Sequence, residues 1–486
     1  MRFLIPAIAA LAAAASPAAA DFTAPPAAGL GAQVECPPVA RIECGSVQVP
    51  LFHERPDGRT IDVAYARIRH RDTSLPAARG TVAINPGGPG AATIPQAQAY
   101  DTDLADLLRD HDLLLIDVRG AGQSSPIGCG FTQVPSRREA FTRAIAACGR
   151  TLGTRARAFT SAETADDFEA VRVHLGIPRL DLFGQSYGSY LMTVYAQRHP
   201  TSVRSMVLSS GDPLDVDMWA RSNAGAVRLA FRRVCARSTT GTCDGRRTLR
   251  RLRRLARRLH ADPISYRHGG ERRLLDDTAL AGIAAGADVQ IGLLPARIRA
   301  AARGDMRPLI EAARLIGPFS GSAAQDPAPD QGLTFTVVCN DYPTLWDRRA
   351  RVRVRLRQFA ARLARRSNRP YRPFSARAYT ATFGDRGDAC IRWPDRRGPV
   401  QSTSGPFPDV PVLALAGDLD TNVAARATRR AAAQFANAQF VEIPNAGHGP
   451  EAEPSGCAAS IVFDFVRNQR LGDTGCLANI PPVRVG

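Results

Sequence analysis

The chain has 486 residues, 44% of them hydrophobic and 22% charged, which excludes a disordered or low-complexity protein and leaves room for one large domain with an insertion or for two domains. The formal net charge is +18, and all 63 basic residues are arginine. Uniform arginine use reads as genomic base composition rather than function.

The N-terminus, MRFLIPAIAALAAAASPAAA, carries one arginine, then an apolar alanine-rich run and a small-residue end. It reads as a secretory signal peptide over residues 1–20, cut after Ala20, and predicts a secreted, extracellular protein. The apolar run is short for a membrane span, and no later stretch is long and apolar enough for one. No cysteine lies near the cleavage site, which argues against a lipid anchor. Residues 21–45 form an irregular lead-in rich in Pro and Ala.

Strands and helices then alternate over residues 46–211. The strand candidates are SVQVPLF, IDVAYARIRH, GTVAIN, DLLLIDV, RLDLFG and VRSMVLSS; the helical ones are SAETADDFEAVRVHLG and YLMTVYAQRHP. Short apolar strands between amphipathic helices predict an α/β fold with a mostly parallel sheet covered by helices. Thr160 or Ser161 suits the N-cap of the first helix. Residues 212–400 break this rhythm. They are Arg-rich and helical in period, and read as an inserted helical cap. The alternation returns over 401–486 with VPVLALAG, AARATRRAAAQFA, QFVEIP and CAASIVFDFVRNQ.

In the cap, RRTLRRLRRLARRLH (246–260) places Leu249, Leu252, Leu255 and Leu259 on one stripe of a basic helix. Residues 348–366 are basic as well. Such runs are usually solvated faces; the functional alternatives are nucleic acid, anionic lipid or an acidic wall polymer. Export argues against nucleic acid, and weak association with anionic cell-surface polymers is the partner this charge suggests.

Ten cysteines suit an exported protein better than a metal site. Four sets are close in sequence: Cys36 and Cys44, Cys129 and Cys148, Cys235 and Cys243, Cys457 and Cys476. Cys339 and Cys390 remain and could pair across a longer loop. Connectivity stays open at this level. No CxxC pair or HExxH motif occurs, so neither a metal nor a cofactor is expected.

The stretch DLFGQSYGSYL (181–191) carries a strand into a helix through Gly184, Ser186 and Gly188. G-x-S-x-G at that junction makes a tight turn that lifts the serine above the sheet, with the helix N–H groups aimed at the same point. A small-residue loop would look similar, so the serine needs a base. Of eight histidines, His53, His70, His111, His174, His199, His260 and His268 lie in elements, turns or the basic cap. His448 sits in IPNAGHGP, a glycine-framed loop after the last strand, and is the candidate base. VPVLALAGDLDTNV places Asp418 and Asp420 beyond a buried strand, at the edge where open α/β sheets build sites. Asp420 has the better spacing for orienting His448, with Asp418 in reserve. The glycines of VAINPGGPG (82–90) allow a close backbone approach, and a free N–H there with that of Tyr187 would form an oxyanion hole.

Together NPGGPG (85–90), IDVRGAGQSSP (116–126), GQSYGSYL (184–191), GDLD (417–420) and NAGHG (445–449) resemble the secreted tripeptidyl aminopeptidase and proline iminopeptidase-like serine hydrolases of the α/β-hydrolase superfamily. VVCND (337–341) and CIRWP (390–394) resemble the tripeptidyl aminopeptidase branch. The likeness runs over about 35–480. It implies Ser186 as nucleophile, Asp420 as orienting acid, His448 as base, and Gly88 and Tyr187 as oxyanion donors. It also implies a Cys339–Cys390 disulfide. Many relatives carry D-P-x-T-P at the acid, whereas this chain has Asp420, Thr421, Asn422 and Val423.

These readings predict a secreted serine exopeptidase that removes short N-terminal peptides. An α-ammonium on the substrate calls for a carboxylate in the cap, and Asp341, two residues beyond Cys339, is a candidate. An esterase, lipase or amidase would use the same triad. A non-catalytic protein binding anionic surface polymer through its basic cap is the alternative from another class. Oligomeric state is not legible.

Overall fold

The computed structural model describes residues 31–486 apart from 130–134, 136, 240, 242 and 317–329. The expected signal peptide therefore lies outside the described residues. Ten strands are β1 (Ile42–Pro50), β2 (Thr60–Ile68), β3 (Thr81–Asn85), β4 (Asp112–Ile116), β5 (Leu180–Gln185), β6 (Val203–Ser209), β7 (Ile264–His268), β8 (Glu271–Leu275), β9 (Val412–Gly417) and β10 (Ala438–Ile443).

Eight of them form one sheet in the order β1-β2-β4-β3-β5-β6-β9-β10. The β1–β2 and β2–β4 pairs are antiparallel, and the others are parallel. Parallel strands are covered on both faces, which is why TVAIN, DLLLI and VLALAG are apolar throughout and buried at every position. Alternation along each strand then splits the side chains between two layers. Ala83, Leu114 and Leu182 pack on one face with Phe168 and Tyr195, whereas Val82, Leu113 and Phe183 pack on the other with Leu107 and Phe463.

The helices expected in this part form at Ser161–His174, Tyr187–Arg198, Ala425–Ala432 and Cys457–Asn468. Thr160 is the cap of the first: its Oγ1 accepts from the Glu163 N–H at 3.1 Å. The helix Arg138–Leu152 was not predicted.

Between β6 and β9 the chain builds a separate apolar core. It draws on Arg221–Ala236, Gly245–Ala261, Asp277–Ala285, Leu294–Ala301 and Ala376–Ala381. The insertion is not wholly helical. β7 and β8 pair as a hairpin around Gly269 and Gly270, both at positive φ, as a two-residue turn of the strand-matching hand requires. Nor does it all belong to the cap core. The helix Gln331–Asp341 turns back and buries Leu333, Phe335 and Val338 against the α/β layer. Disulfides join Cys36 to Cys44, Cys129 to Cys148, Cys235 to Cys243, Cys339 to Cys390 and Cys457 to Cys476. No helix among the described residues is long and apolar enough to cross a membrane.

Candidate active site

β5 ends on Gln185 and the helix Tyr187–Arg198 begins two residues later, leaving Ser186 alone to make the turn. Its backbone sits at φ 54° and ψ −124°, a conformation costly for any residue with a Cβ. The flanking glycines are dictated by contact. A Cβ at Gly184 would come within 2.4 Å of the Gly188 carbonyl, and one at Gly188 within 2.1 Å of the Asn85 carbonyl oxygen. The Ser186 N–H donates to Ser209 O on β6 at 2.8 Å, which fixes the turn to the neighbouring strand.

β3 lies beside β5, so the turn after Asn85 falls against this elbow. A Cβ on Gly87 would meet Gln185 O at 2.6 Å and Tyr187 N at 3.0 Å. The Gly87 N–H donates to Asn85 Oδ1 at 3.0 Å, which leaves Gly88 as the donor next along that turn. Tyr187 opens its helix, where first-turn N–H groups have no intrahelical acceptor. Gly88, Ser186 and Tyr187 line one cavity together with His448.

His448 follows β10, and its Nδ1 lies 2.9 Å from Asp420 Oδ2. The carboxylate of Asp420 is fully buried. Its other oxygen accepts from the N–H groups of Asn422 at 2.9 Å and Val423 at 2.7 Å. The loop that departs from D-P-x-T-P thus still holds its aspartate with backbone donors. Asp418 is turned elsewhere: it accepts from Arg237 Nη2 at 2.5 Å and from the Asn445 N–H at 2.8 Å. Histidine–aspartate contacts are not rare in this molecule. His53 meets Asp167 at 2.8 Å, His70 meets Asp112 at 2.8 Å and His199 meets Asp166 at 2.9 Å. What distinguishes His448 is that it shares a cavity with a serine on a strained turn.

The cavity lies between the sheet edge and the insertion. Tyr190, Phe335 and Tyr342 supply aromatic walls, and Asp212, Asp385 and Arg386 supply charge. Arg386 Nη2 donates to Asp212, and its Nε lies 3.7 Å from Asp385 Oδ2. Burial pushes the Asp212 carboxyl upward, opposed by the Arg386 guanidinium. One guanidinium thus faces two carboxylates, and Asp385 is the more exposed of the two, at 29% against 12%.

Asp341 does not line this cavity. It is buried behind the wall, where Oδ2 accepts from both the N–H and the Oγ–H of Ser161 at 2.6 Å. The Ser161 hydroxyl in turn lies 2.7 Å from the Tyr187 hydroxyl. Burial pushes the Asp341 carboxyl up to about 6, against these hydrogen bonds. Expecting it at an ammonium site is corrected: the helix Gln331–Asp341 packs its last residue into the α/β layer. The acids that do reach the cavity, Asp212 and Asp385, lie in GDPLD and FGDRGD, and nothing in those stretches marks them from other loop aspartates. Glu451, three residues after His448, was also missed. It accepts from Gln185 Nε2 and from Ser209 Oγ. Among the described residues no set of three or more His, Cys, Asp or Glu is grouped as metal ligands would be.

Residues 80–238 match the family model described as alpha/beta hydrolase fold, and residues 376–476 match that described as TAP-like protein. The chain has the α/β-hydrolase fold. It is 30% identical over 203 residues to the tripeptidyl aminopeptidase of Streptomyces coelicolor, covering 37% of each chain. It is 29% identical over 249 residues to the putative hydrolase YuaR of Escherichia coli, covering 46% of this chain and 49% of that one. It is 28% identical over 200 residues to the serine protease Hip1 of Mycobacterium bovis, covering 36% and 38%. The chain thus spans less than half the length of each of these relatives. Among solved structures, the proline iminopeptidase of Mycobacterium smegmatis aligns at a TM-score of 0.37 and 15% identity, covering 87% of this chain and 98% of that one.

Proposed function

We propose that this α/β hydrolase is a secreted serine peptidase that removes short peptides from a free N-terminus. The observation that carries the reading is the shared cavity: Ser186 on its strained turn, His448 held by Asp420 at 2.9 Å, and an acidic wall opposite. With Nδ1 engaged by Asp420, Nε2 is the nitrogen left to exchange a proton with Ser186 Oγ. Oγ attacks the scissile carbonyl carbon as its proton passes to Nε2. The oxyanion is met by the N–H groups of Gly88 and Tyr187. The imidazolium then gives the proton to the leaving amine, and the acyl-enzyme is hydrolysed by a water activated in the same way.

The peptide class of substrate is supported by the matches to a tripeptidyl aminopeptidase and a serine protease. Exopeptidase action is supported by the cavity wall, where Asp212 and Asp385 outnumber Arg386 and leave one net negative charge for an α-ammonium. Asp385 takes the anchoring role first assigned to Asp341, because it is exposed to the cavity and its ion pair is the longer. Secretion is supported by the N-terminal sequence and by five disulfides.

The test is release of a fluorescent amine from one-, two- and three-residue peptides with free and with blocked N-termini, beside a short-chain ester and the Ser186→Ala protein. Cleavage that needs the free amine and is lost in the variant is the expected result. Ester turnover without peptide cleavage would replace this reading with an esterase.

A further inference from the structure

The helix Gly245–Ala261 buries Leu252, Leu255 and Leu259 in the cap core, so its apolar stripe is spent on folding and cannot enter a membrane. Its opposite face carries two rows of arginine. Arg246, Arg250, Arg253 and Arg257 form one row; Arg247, Arg251, Arg254 and Arg258 form the other. Steps of four, three and four residues keep each row almost straight over ~16 Å of helix. Among the described residues, only Arg247 of these eight has an ion-pair partner, Asp244 at 4.0 Å. Some arginines elsewhere are matched, as in Arg198–Asp166, Arg204–Asp181 and Arg467–Asp106. Like charges at four-residue spacing repel, as at Arg246/Arg250, Arg250/Arg254 and Arg254/Arg258, so this face destabilises its own helix.

A second observation shows where an anion would sit. Arg232, from the helix Arg221–Ala236, shares a shallow cleft with Arg246, Arg250 and Leu249, and no carboxylate lines it. Three arginines from two helices line it, and the carboxylate beside them is that of Asp244, the helix N-cap, which accepts from the Arg247 N–H and acts on Arg250 from outside the cleft. A planar carboxylate offers two oxygens and matches one guanidinium fork. A tetrahedral phosphate can accept from several forks at once.

We infer that the Arg232–Arg246–Arg250 cleft and the two arginine rows form a docking surface for a base-free linear polymer that carries a phosphate in each repeat. The cleft seats one phosphate and the rows track those that follow. Residues 246–258 contain no aromatic side chain on which a nucleic-acid base could stack. None of these arginines lines the cavity of Ser186. The inference therefore stands or falls independently of the peptidase reading.

The test uses the full secreted chain and long-chain inorganic polyphosphate, with binding followed against salt concentration. The expected result is binding that weakens steeply with salt and falls at least about tenfold in the Arg232→Glu/Arg246→Glu/Arg250→Glu protein. A control carrying Arg179→Glu/Arg396→Glu/Arg470→Glu, equal in charge but remote in sequence, keeps most of it. Thermal melting establishes that both variants fold, and the charge-neutral Arg→Gln triple repeats the test with a smaller perturbation. Equal loss in the control triple would reduce the effect to net charge and overturn the site. So would poly-glutamate binding as tightly as polyphosphate. Tighter binding to single-stranded DNA of equal charge, or binding only to phosphatidylglycerol vesicles, would overturn the assigned partner.

Discussion

Glu451 accepts a hydrogen bond from the side chain of Gln185, the residue that immediately precedes Ser186. Its second oxygen accepts from Ser209 on the adjoining strand. One carboxylate thus ties the histidine loop to the two strands that carry the elbow. We expect Glu451→Ala to lower kcat for peptide hydrolysis by about one to two orders of magnitude while KM changes less than about threefold. Glu451→Gln, which keeps an acceptor, should recover part of the loss. A purely structural role would instead lower the titratable active fraction and leave kcat per active site unchanged.

Ser186→Ala, His448→Ala and Asp420→Asn should each reduce kcat/KM by roughly 10³-fold or more. Residues that act as one unit are not additive, so the Ser186→Ala/His448→Ala double variant should be no slower than the worse single one. Asp418→Asn should act differently. It loosens the ion pair with Arg237 and should lower the melting temperature more than the turnover of folded enzyme. Kinetics and melting curves on the same preparations separate the two aspartates.

Asp385→Asn should raise KM for peptides with a free amine by about tenfold, the scale of one partly exposed charge-assisted contact. Cleavage of the same peptide with its amine blocked should change little. Asp341→Asn should leave KM for both nearly unchanged, because its side chain lies behind the cavity wall. Equal KM shifts for free and blocked peptides in Asp385→Asn would remove the ammonium role.

Asp341 has a second signature, in stability. Its carboxyl is pushed up to about 6 in the folded protein, while in the unfolded chain it stays near 3.9. The folded state therefore holds the proton more tightly. The contribution is full below pH ~4 and is lost as pH rises toward 6, by about 3 kcal/mol for a group this deeply buried. Asp341→Asn should abolish that dependence. Urea denaturation at pH 4 and pH 8 should show the variant gaining on the native protein at the higher pH, and parallel curves would refute the buried, raised carboxyl.

Much of the α/β layer could be read from the chain because its signals are local. TVAIN, DLLLI and VLALAG are continuous apolar runs of strand length, and the helix after Thr160 has its cap within three residues. The cap was harder. RRLRRLARRL shows its period plainly, yet YRHGGERR hides a hairpin, because arginines alternate with few apolar residues on a strand that is mostly exposed. GLTFTVVCND has no strong amphipathic stripe because every residue from Gly332 to Asp341 is buried, so its helix could not be assigned to one core or the other.

By itself the sequence determined the elbow and its glycines. Strand, turn and helix are neighbours there, and the Gly184–Gly188 approach lies within one short stretch of chain. It also determined a histidine in a glycine-framed loop at the same sheet edge, since β9 and β10 are adjacent parallel strands that end together. Only the tertiary structure decided which acids face the serine. Asp212, Asp385 and Arg386 come from segments more than 170 residues apart and meet because the insertion folds back over the sheet. Asp341 and Asp385 look alike as residues in the chain. One lies behind the wall and the other on it because a helix packs its last turn inward while a loop does not, and that difference arises from packing between distant segments.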